Sequence, residues 1–474
     1  MTPMHWIRQG RKERGLSQAN LARVTGIVQA HISMWELDKA EPSEPGRQRI
    51  LEVFRQLDAG RIPDGLLLRN HRKSASAAKE FGDGGENAEA EQRSKQWFPP
   101  VEFAQGETDI RREPTVVACF AGCGGMGLGF RQAGFSVLGY VELNDAARRT
   151  FARNFPEATP LACDVRDVQD HHARNWRHRF GHVDVLCGGP PCQGFSLAGK
   201  RDQNDSRNTL FRDYLRIAEH LAPAVVVMEN VRVLTSMKDP DGRPVLNRIR
   251  DEFDRIGYDV EHRELNAQDF GVPQFRERVF FVAVRRDLAP KRPLFFPQPT
   301  HGHEPAPSLF SPGLKPYSTF RDATSDLEPL ESGQASKSDL HHWAVDHPPH
   351  VLRWLRDVPE GRSAHDNRDP DLRPPSGYNT TYKRLRWDEP SSTIGTTFGM
   401  ISACRTVHPK CTRSLTVREA IRCQTFPDEY VFEGTTGDIR TQIGNAVPPG
   451  LSRAIATHIG AAIAPAATRR RAAS

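Results

Sequence analysis

The chain is 474 residues long and carries 65 Lys and Arg against 59 Asp and Glu, for a formal charge of +6 and a pI near 8.9. That length exceeds one ordinary domain and can bury at least one large core, while the mild basic excess suits an anionic partner without specifying one. No apolar leader opens the chain and no run of about 18 apolar residues is present to cross a bilayer, so a soluble cytoplasmic protein with no membrane partner is expected.

In chain order, Trp6, Leu16, Leu21, Val24, Ile27, Ile32, Trp35, Ile50, Val53 and Phe54 recur at helix-like intervals. They predict a compact helical unit within residues 1–75. Ser17 suits an N-cap, and Gly26 sits where a tight turn would join two helices. Residues 76–112 are mostly small and polar and read as a flexible linker.

Thr115–Phe120 is a short apolar run ending in glycines, and Gly122-Cys-Gly124-Gly125-Met-Gly127 satisfies a dinucleotide-binding pattern. Glu142 follows about twenty positions on, at the end of a second strand-like run, Ser136–Val141. This predicts a Rossmann-type nucleoside site, where glycines admit the ligand and a carboxylate accepts from ribose hydroxyls. By pattern alone NAD would fit. Asp164, after a third strand, reads equally as a turn residue or a ligand contact.

Val183, Val185 and Leu186 then lead into Gly188-Gly-Pro190-Pro-Cys192-Gln-Gly-Phe-Ser196. The prolines fix φ at two consecutive residues and present the Cys192 thiol on a set backbone. Cys192 is a candidate nucleophile, against the plainer reading of an inert core thiol. The other cysteines, at 119, 123, 163, 187, 404, 411 and 423, form no Cys-x-x-Cys pair and no zinc-like spacing, so no metal site and a reducing compartment are expected. Ala224–Val231 is a buried strand that ends on Glu229. Arg276 and Arg278 fall on one face if the strand Val279–Val284 extends back over them. Residues 287–400 are rich in Pro and His, and the tail 465–474 is basic.

Five stretches resemble, in order, the motifs of the DNA cytosine-5 methyltransferases: Phe120-Ala-Gly122-Cys-Gly124-Gly125, Pro190–Ser196, Glu229-Asn230-Val231, Gln274-Phe-Arg276-Glu-Arg278, and Gln442-Ile-Gly444-Asn445-Ala-Val-Pro448-Pro449. Gly15–Gln18 through Ile32–Glu36 resembles an XRE-type helix-turn-helix. The resemblance implies an α/β, Rossmann-like S-adenosylmethionine-dependent methyltransferase fold with a small target-recognition domain, plus an N-terminal all-α helix-turn-helix domain. Its parts would be the catalytic and cofactor-binding domain at 113–286, the recognition domain at 287–400, and a return to the catalytic domain at 401–464.

In that family's chemistry a Cys192 thiolate adds to C6 of a flipped-out cytosine, C5 takes the methyl group, and β-elimination frees the enzyme. Glu229 would serve N3 and Arg278 O2, with Arg276 steadying the loop and the DNA. S-adenosyl-L-methionine would lie against Phe120 and touch Gly122, Gly124, Gly125, Pro190 and Asn445, with its ribose on Glu142 and its adenine amino group on Asp164. Gly188, Gly189 and Gly194 would let the nucleophile loop close. In the helix-turn-helix, Gln29, His31, Ser33 and Met34 would face DNA while Ile32 and Trp35 face the core.

Two positions depart from the family pattern, Ala118 and Asn144, where acidic residues are frequent. The implied partners are duplex DNA and a cognate restriction endonuclease, for a monomeric enzyme that could pair on an operator. An RNA (tRNA) cytosine-5 methyltransferase and a transcription regulator with a vestigial enzyme half are the competing readings.

Overall fold

The structure, a computed structural model, describes residues 5–14, 21, 25, 32, 35, 44–58, 113–191, 210–238, 242–288, 296–303, 313–375, 378, 380–402 and 405–463. Cys192, Gly194, the linker 76–112, the basic tail 465–474 and the four candidate DNA contacts Gln29, His31, Ser33 and Met34 lie outside those residues. The chain divides into two units, residues 1–83 and 84–474.

In the first unit, α1 (His5–Glu13) and α2 (Glu44–Asp58) enclose a small apolar core of Ile7, Leu21, Ile32, Trp35, Ile50, Val53 and Phe54. Gly10 allows the two helices to touch, because a Cβ there would lie 2.6 Å from the Phe54 ring. Ile32 and Trp35 face inward, as the helical spacing predicts.

The second unit is organised by a seven-stranded sheet of order β3-β2-β1-β4-β5-β7-β6. Its strands are β1 (Thr115–Cys119), β2 (Ser136–Val141), β3 (Thr159–Ala162), β4 (Val185–Gly188), β5 (Val225–Val231), β6 (Tyr258–Asn266) and β7 (Glu277–Arg285). Strand β7 runs antiparallel to both of its neighbours, β5 and β6, and the other pairs are parallel. The alternation of strand side chains divides the apolar residues between two layers. Val116, Ala118, Val225 and Val227 enter one core with α3 (Gly125–Gln132) and α4 (Asp145–Asn154). Val117, Cys119, Val226 and Met228 enter the other with α5 (Asp170–Phe180), α6 (Leu210–Leu221) and α7 (Val245–Arg255). Both faces are covered, which is why β1 and β5 are nearly uninterrupted apolar runs.

After β7 come α8 (Phe320–Thr324) and α9 (Pro349–Leu355), and the chain closes a separate cluster of Val351, Leu355, Val358, Ala364, Tyr382, Ile401 and Val407. Regular structure is sparse here, and the Arg384 guanidinium supplies much of the stitching by donating to the carbonyls of Leu355, His408 and Cys411 at 2.8–2.9 Å. The chain then returns through α10 (Val417–Cys423), α11 (Thr436–Asn445) and α12 (Pro449–Ile463). Helix α12 lies directly on α3, where a Cβ at Gly129 would come 2.4 Å from that of Ser452. Among the described residues no helix is long and apolar enough to cross a membrane.

The start of α10 is fixed by a buried ion pair. Arg413 donates to both oxygens of Glu419 at 2.7 and 2.8 Å, and Thr416 and Glu419 form a capping box. Burial alone would raise the Glu419 pKa, but Arg413 holds it down to about 2. Its folded pKa is depressed, so its stabilisation is complete above the ordinary carboxylate range and is lost as pH falls toward about 2. Glu419→Gln strands a buried guanidinium and should cost about 3–5 kcal/mol. Urea unfolding at pH 7 measures this, and a loss under 1 kcal/mol would contradict the role assigned to the pair.

Candidate active site

The sheet's strand order reverses between β1 and β4. The chain leaves β1 for a helix on one face, α3, and the next helix described after β4, α6, lies on the other, which opens a crevice at the C-terminal strand ends. A cleft of about 380 Å³ occupies that position.

Its first wall is the turn after β1. Phe120, at φ 49°, and Gly122, at φ 56°, both take left-handed backbone. For a phenylalanine this costs on the order of 1–3 kcal/mol and marks a turn held by its surroundings. A Cβ at Gly122 would meet nothing within 4 Å, so this glycine opens on the cleft. At Gly125 a Cβ would come 2.3 Å from the Val447 carbonyl oxygen, so close packing demands glycine there.

Glu142 stands at the end of β2 and accepts from the Gly122 amide at 2.7 Å and from the Asn144 amide at 2.7 Å. Burial raises its pKa, and those amide bonds pull the other way. Asn144 caps α4 by accepting from the Ala147 amide. An acidic residue, frequent at this position in the family, would cap the helix equally well, so the cap does not explain the asparagine. Ala118, the other departure from the family pattern, pairs in register with Cys187 on the cleft floor.

The second wall comes from β4 and β5. Asn230 donates to the Pro190 carbonyl at 2.9 Å and so ties the Gly-Pro-Pro turn after β4 to β5. A Cβ at Gly188 would lie 2.5 Å from the Cys119 carbonyl oxygen, and one at Gly189 would lie 2.7 Å from Glu229 Oε2. These two glycines permit close approach in a packed corner. Glu229 pairs with Arg278 Nε at 3.0 Å, and burial pushes its pKa up against the pull of Arg278 and Arg276.

Phe120, Gly122, Gly125, Glu142, Pro190, Glu229, Arg278 and Asn445 therefore line one cleft. Gly124, Asp164 and Arg276 stand outside its lining. The Asp164 carboxylate is held by Arg166, with Nη2 at 2.6 Å, and caps a short turn. Arg276 is 1% exposed and donates to the carbonyls of Ile394 and Gly444 at 3.0 and 2.8 Å. Strand β7 begins at Glu277, so the period-two argument does not extend to Arg276. The sequence reading missed Asp438, Thr441 and Gln442, which line the cleft with Asn445 along one face of α11. Their spacing of three, four and seven, after the Thr435–Asp438 capping box, is the signal that would have found them.

Residues 115–461 match the C-5 cytosine-specific DNA methylase family, and residues 7–54 match a helix-turn-helix family. The chain belongs to the C-5 cytosine-specific DNA methylase family. It is a DNA (cytosine-5) methyltransferase with a helix-turn-helix module at its N-terminal side. The methylase is 37% identical over 346 residues to the Type II methyltransferase M1.HphI of Haemophilus parahaemolyticus, covering 72% of this chain and 85% of that one. It is also 37% identical over 353 residues to M.Eco47II of Escherichia coli, covering 72% and 77%. The crystal structure of a prophage-encoded E. coli protein titled a DNA modification methyltransferase aligns with a TM-score of 0.56 at 24% identity, covering 73% of this chain and 98% of that one, and shares its fold.

Proposed function

We propose that this methylase takes its methyl group from S-adenosyl-L-methionine, modifies a cytosine flipped out of a specific duplex sequence, and serves as the modification enzyme of a restriction-modification system. The observation that carries this reading is the convergence of a nucleoside-type corner and an acid–guanidinium pair on one cleft. Gly122 and Glu142 form the first, and Glu229 and Arg278 form the second.

The cleft's residues suit that cofactor. Gly122 leaves open space on the cleft side, Glu142 keeps lone pairs for ribose hydroxyls beyond its two amide bonds, and Phe120 offers an apolar surface. Pro190 and Asn445 would complete the contact, while Asp164, outside the lining and held by Arg166, would offer the adenine only the lone pairs that Arg166 leaves free. When bound, S-adenosyl-L-methionine supplies an electrophilic methyl group. Cys192 follows Pro191, a cleft-lining residue, by one peptide bond, and its thiolate adds to C6 of the base. Burial raises the Glu229 pKa, which favours the protonated carboxyl that would donate to N3, and Arg278 would hydrogen-bond O2 as negative charge builds on the ring. Arg276 acts from the interior by holding the backbone that leads into Arg278.

Residues 287–400 form the target-recognition domain, between a catalytic part at 113–286 and its C-terminal return at 401–464. The enzyme works as a cytoplasmic monomer beside a cognate endonuclease. Residues 1–75 bind an operator through Gln29, His31, Ser33 and Met34 and repress transcription. Incubation with tritiated cofactor should label duplex DNA and leave tRNA unlabelled, and bisulfite sequencing of DNA from expressing cells should show one modified motif. Labelled tRNA with unlabelled DNA would overturn the reading. Removal of residues 1–75 should leave methyl transfer within about twofold of the full chain and abolish operator binding in a gel-shift assay. Loss of both activities would contradict the separate role of that unit.

A further inference from the structure

The turn that follows α10 reaches the back of the glycine-rich loop. Tyr430, 3% exposed, donates its hydroxyl to the Cys123 carbonyl, although the two residues are 307 positions apart. Its neighbours make the ring's position rigid. The Asn154 side-chain amide donates to the Val431 carbonyl at 2.7 Å and accepts from the Val431 amide at 3.0 Å. The Glu433 amide donates to Thr150 Oγ1 at 2.8 Å. Both partners sit on α4, the helix capped by Asn144, so the turn is anchored to the element that also sets Glu142.

A second contact falls on the adjacent residue. Gly124 has φ 95°, and a Cβ there would lie 2.6 Å from the Tyr430 hydroxyl and 2.6 Å from the Phe155 ring. The hydroxyl therefore occupies the space behind the loop, opposite the side on which Gly122 opens to the cleft. Burial pushes the Tyr430 pKa well above its ordinary value, so the phenol keeps its proton and remains a donor.

We propose that Tyr430 is a positioning residue for the cofactor: by holding the Cys123 carbonyl and backing Gly124, it fixes the left-handed Gly122–Gly124 turn in the shape that presents the Gly122 amide to Glu142. The proposal rests on the reading that the cleft takes S-adenosyl-L-methionine. Tyr430 is not among the residues lining the cleft, so its loss should act on cofactor affinity and spare the chemical step.

The test compares the full chain with Tyr430→Phe, which keeps the ring and removes the donor. Calorimetric titration with S-adenosylhomocysteine should show about tenfold weaker binding, the effect of roughly one lost hydrogen bond to a buried acceptor. At saturating cofactor kcat should stay within about twofold while KM for the cofactor rises. In the ligand-free protein, amide exchange should quicken across residues 120–128 and stay unchanged in β4 and β5. Unchanged affinity and exchange would overturn the proposal. So would quickened exchange throughout the sheet or a lost melting transition, because the residue would then be a packing element of the whole unit. If the unaltered chain fails to bind S-adenosylhomocysteine, the reading of the cleft falls first and this proposal falls with it.

Discussion

Cys192→Ser should abolish methyl transfer, by at least about 10⁴-fold in kcat, and leave the affinity for duplex DNA intact. The magnitude follows from what the thiol must do. Cytosine C5 is a weak nucleophile until a group adds at C6, and a serine hydroxyl offers almost no anion at neutral pH, whereas an ordinary cysteine is already a few per cent thiolate. The described cysteines cannot substitute. Cys119, Cys123 and Cys423 are buried with their pKa pushed up to about 12, and the Cys187 thiol is pushed up by burial as well. Three of these line the cleft, so proximity alone would have nominated the wrong sulfur. A duplex carrying 5-fluorocytosine at the target should trap a covalent adduct on Cys192. Full activity in the serine variant, or an adduct mapped to another cysteine, would sink the assignment.

Glu229→Gln lowers kcat by about 10²–10³-fold, within the usual range for a lost general acid. The pH profile carries the sharper test. Burial raises the Glu229 pKa, with Arg278 and Arg276 opposing, so the protonated carboxyl persists above the normal carboxylate range. A group that acts as an acid is lost as pH rises through its pKa, and kcat should decline on that side in the native enzyme and stay flat in the glutamine variant. The stability sign agrees. The folded state holds this proton more tightly than the unfolded state, so Glu229's contribution to stability is present at low pH and disappears as pH climbs through the folded value. A glutamine variant with an unaltered pH limb would assign that limb to another group.

The catalytic core was legible because its strands are buried on both faces. Val137–Val141 and Val225–Met228 appear in the sequence as apolar runs and in the structure within β2 and β5, and the glycines after Cys119 announced the nucleoside turn. Strand β6 was not legible. It is an edge strand, and Tyr258 and Leu265 are its only buried side chains, so Tyr258–Asn266 carries mostly polar residues and no clean alternation.

Arg276 shows a different limit. Its carbonyl partners lie 118 and 168 residues away, and no local pattern reports a guanidinium committed to such distant backbone. Tyr430 on Cys123 is invisible for the same reason. The close approaches at Gly188 and Gly189 are hidden in the same way, because composition records the missing side chain and not the atoms around it.

The cluster built from Val351, Leu355, Val358, Ala364, Tyr382, Ile401 and Val407 is closed on itself and shares none of its residues with the two layers that sandwich the sheet. Its backbone is still tied to the sheet core, since the Leu385 amide donates to the Val407 carbonyl at 2.9 Å, so a substitution in the cluster reaches the sheet through that connection. If residues 287–400 read the target as proposed, remodelling of side chains around this cluster is the route by which lineages would drift toward new target sequences, and exchanging the segment with that of a relative of different specificity would be its engineering counterpart.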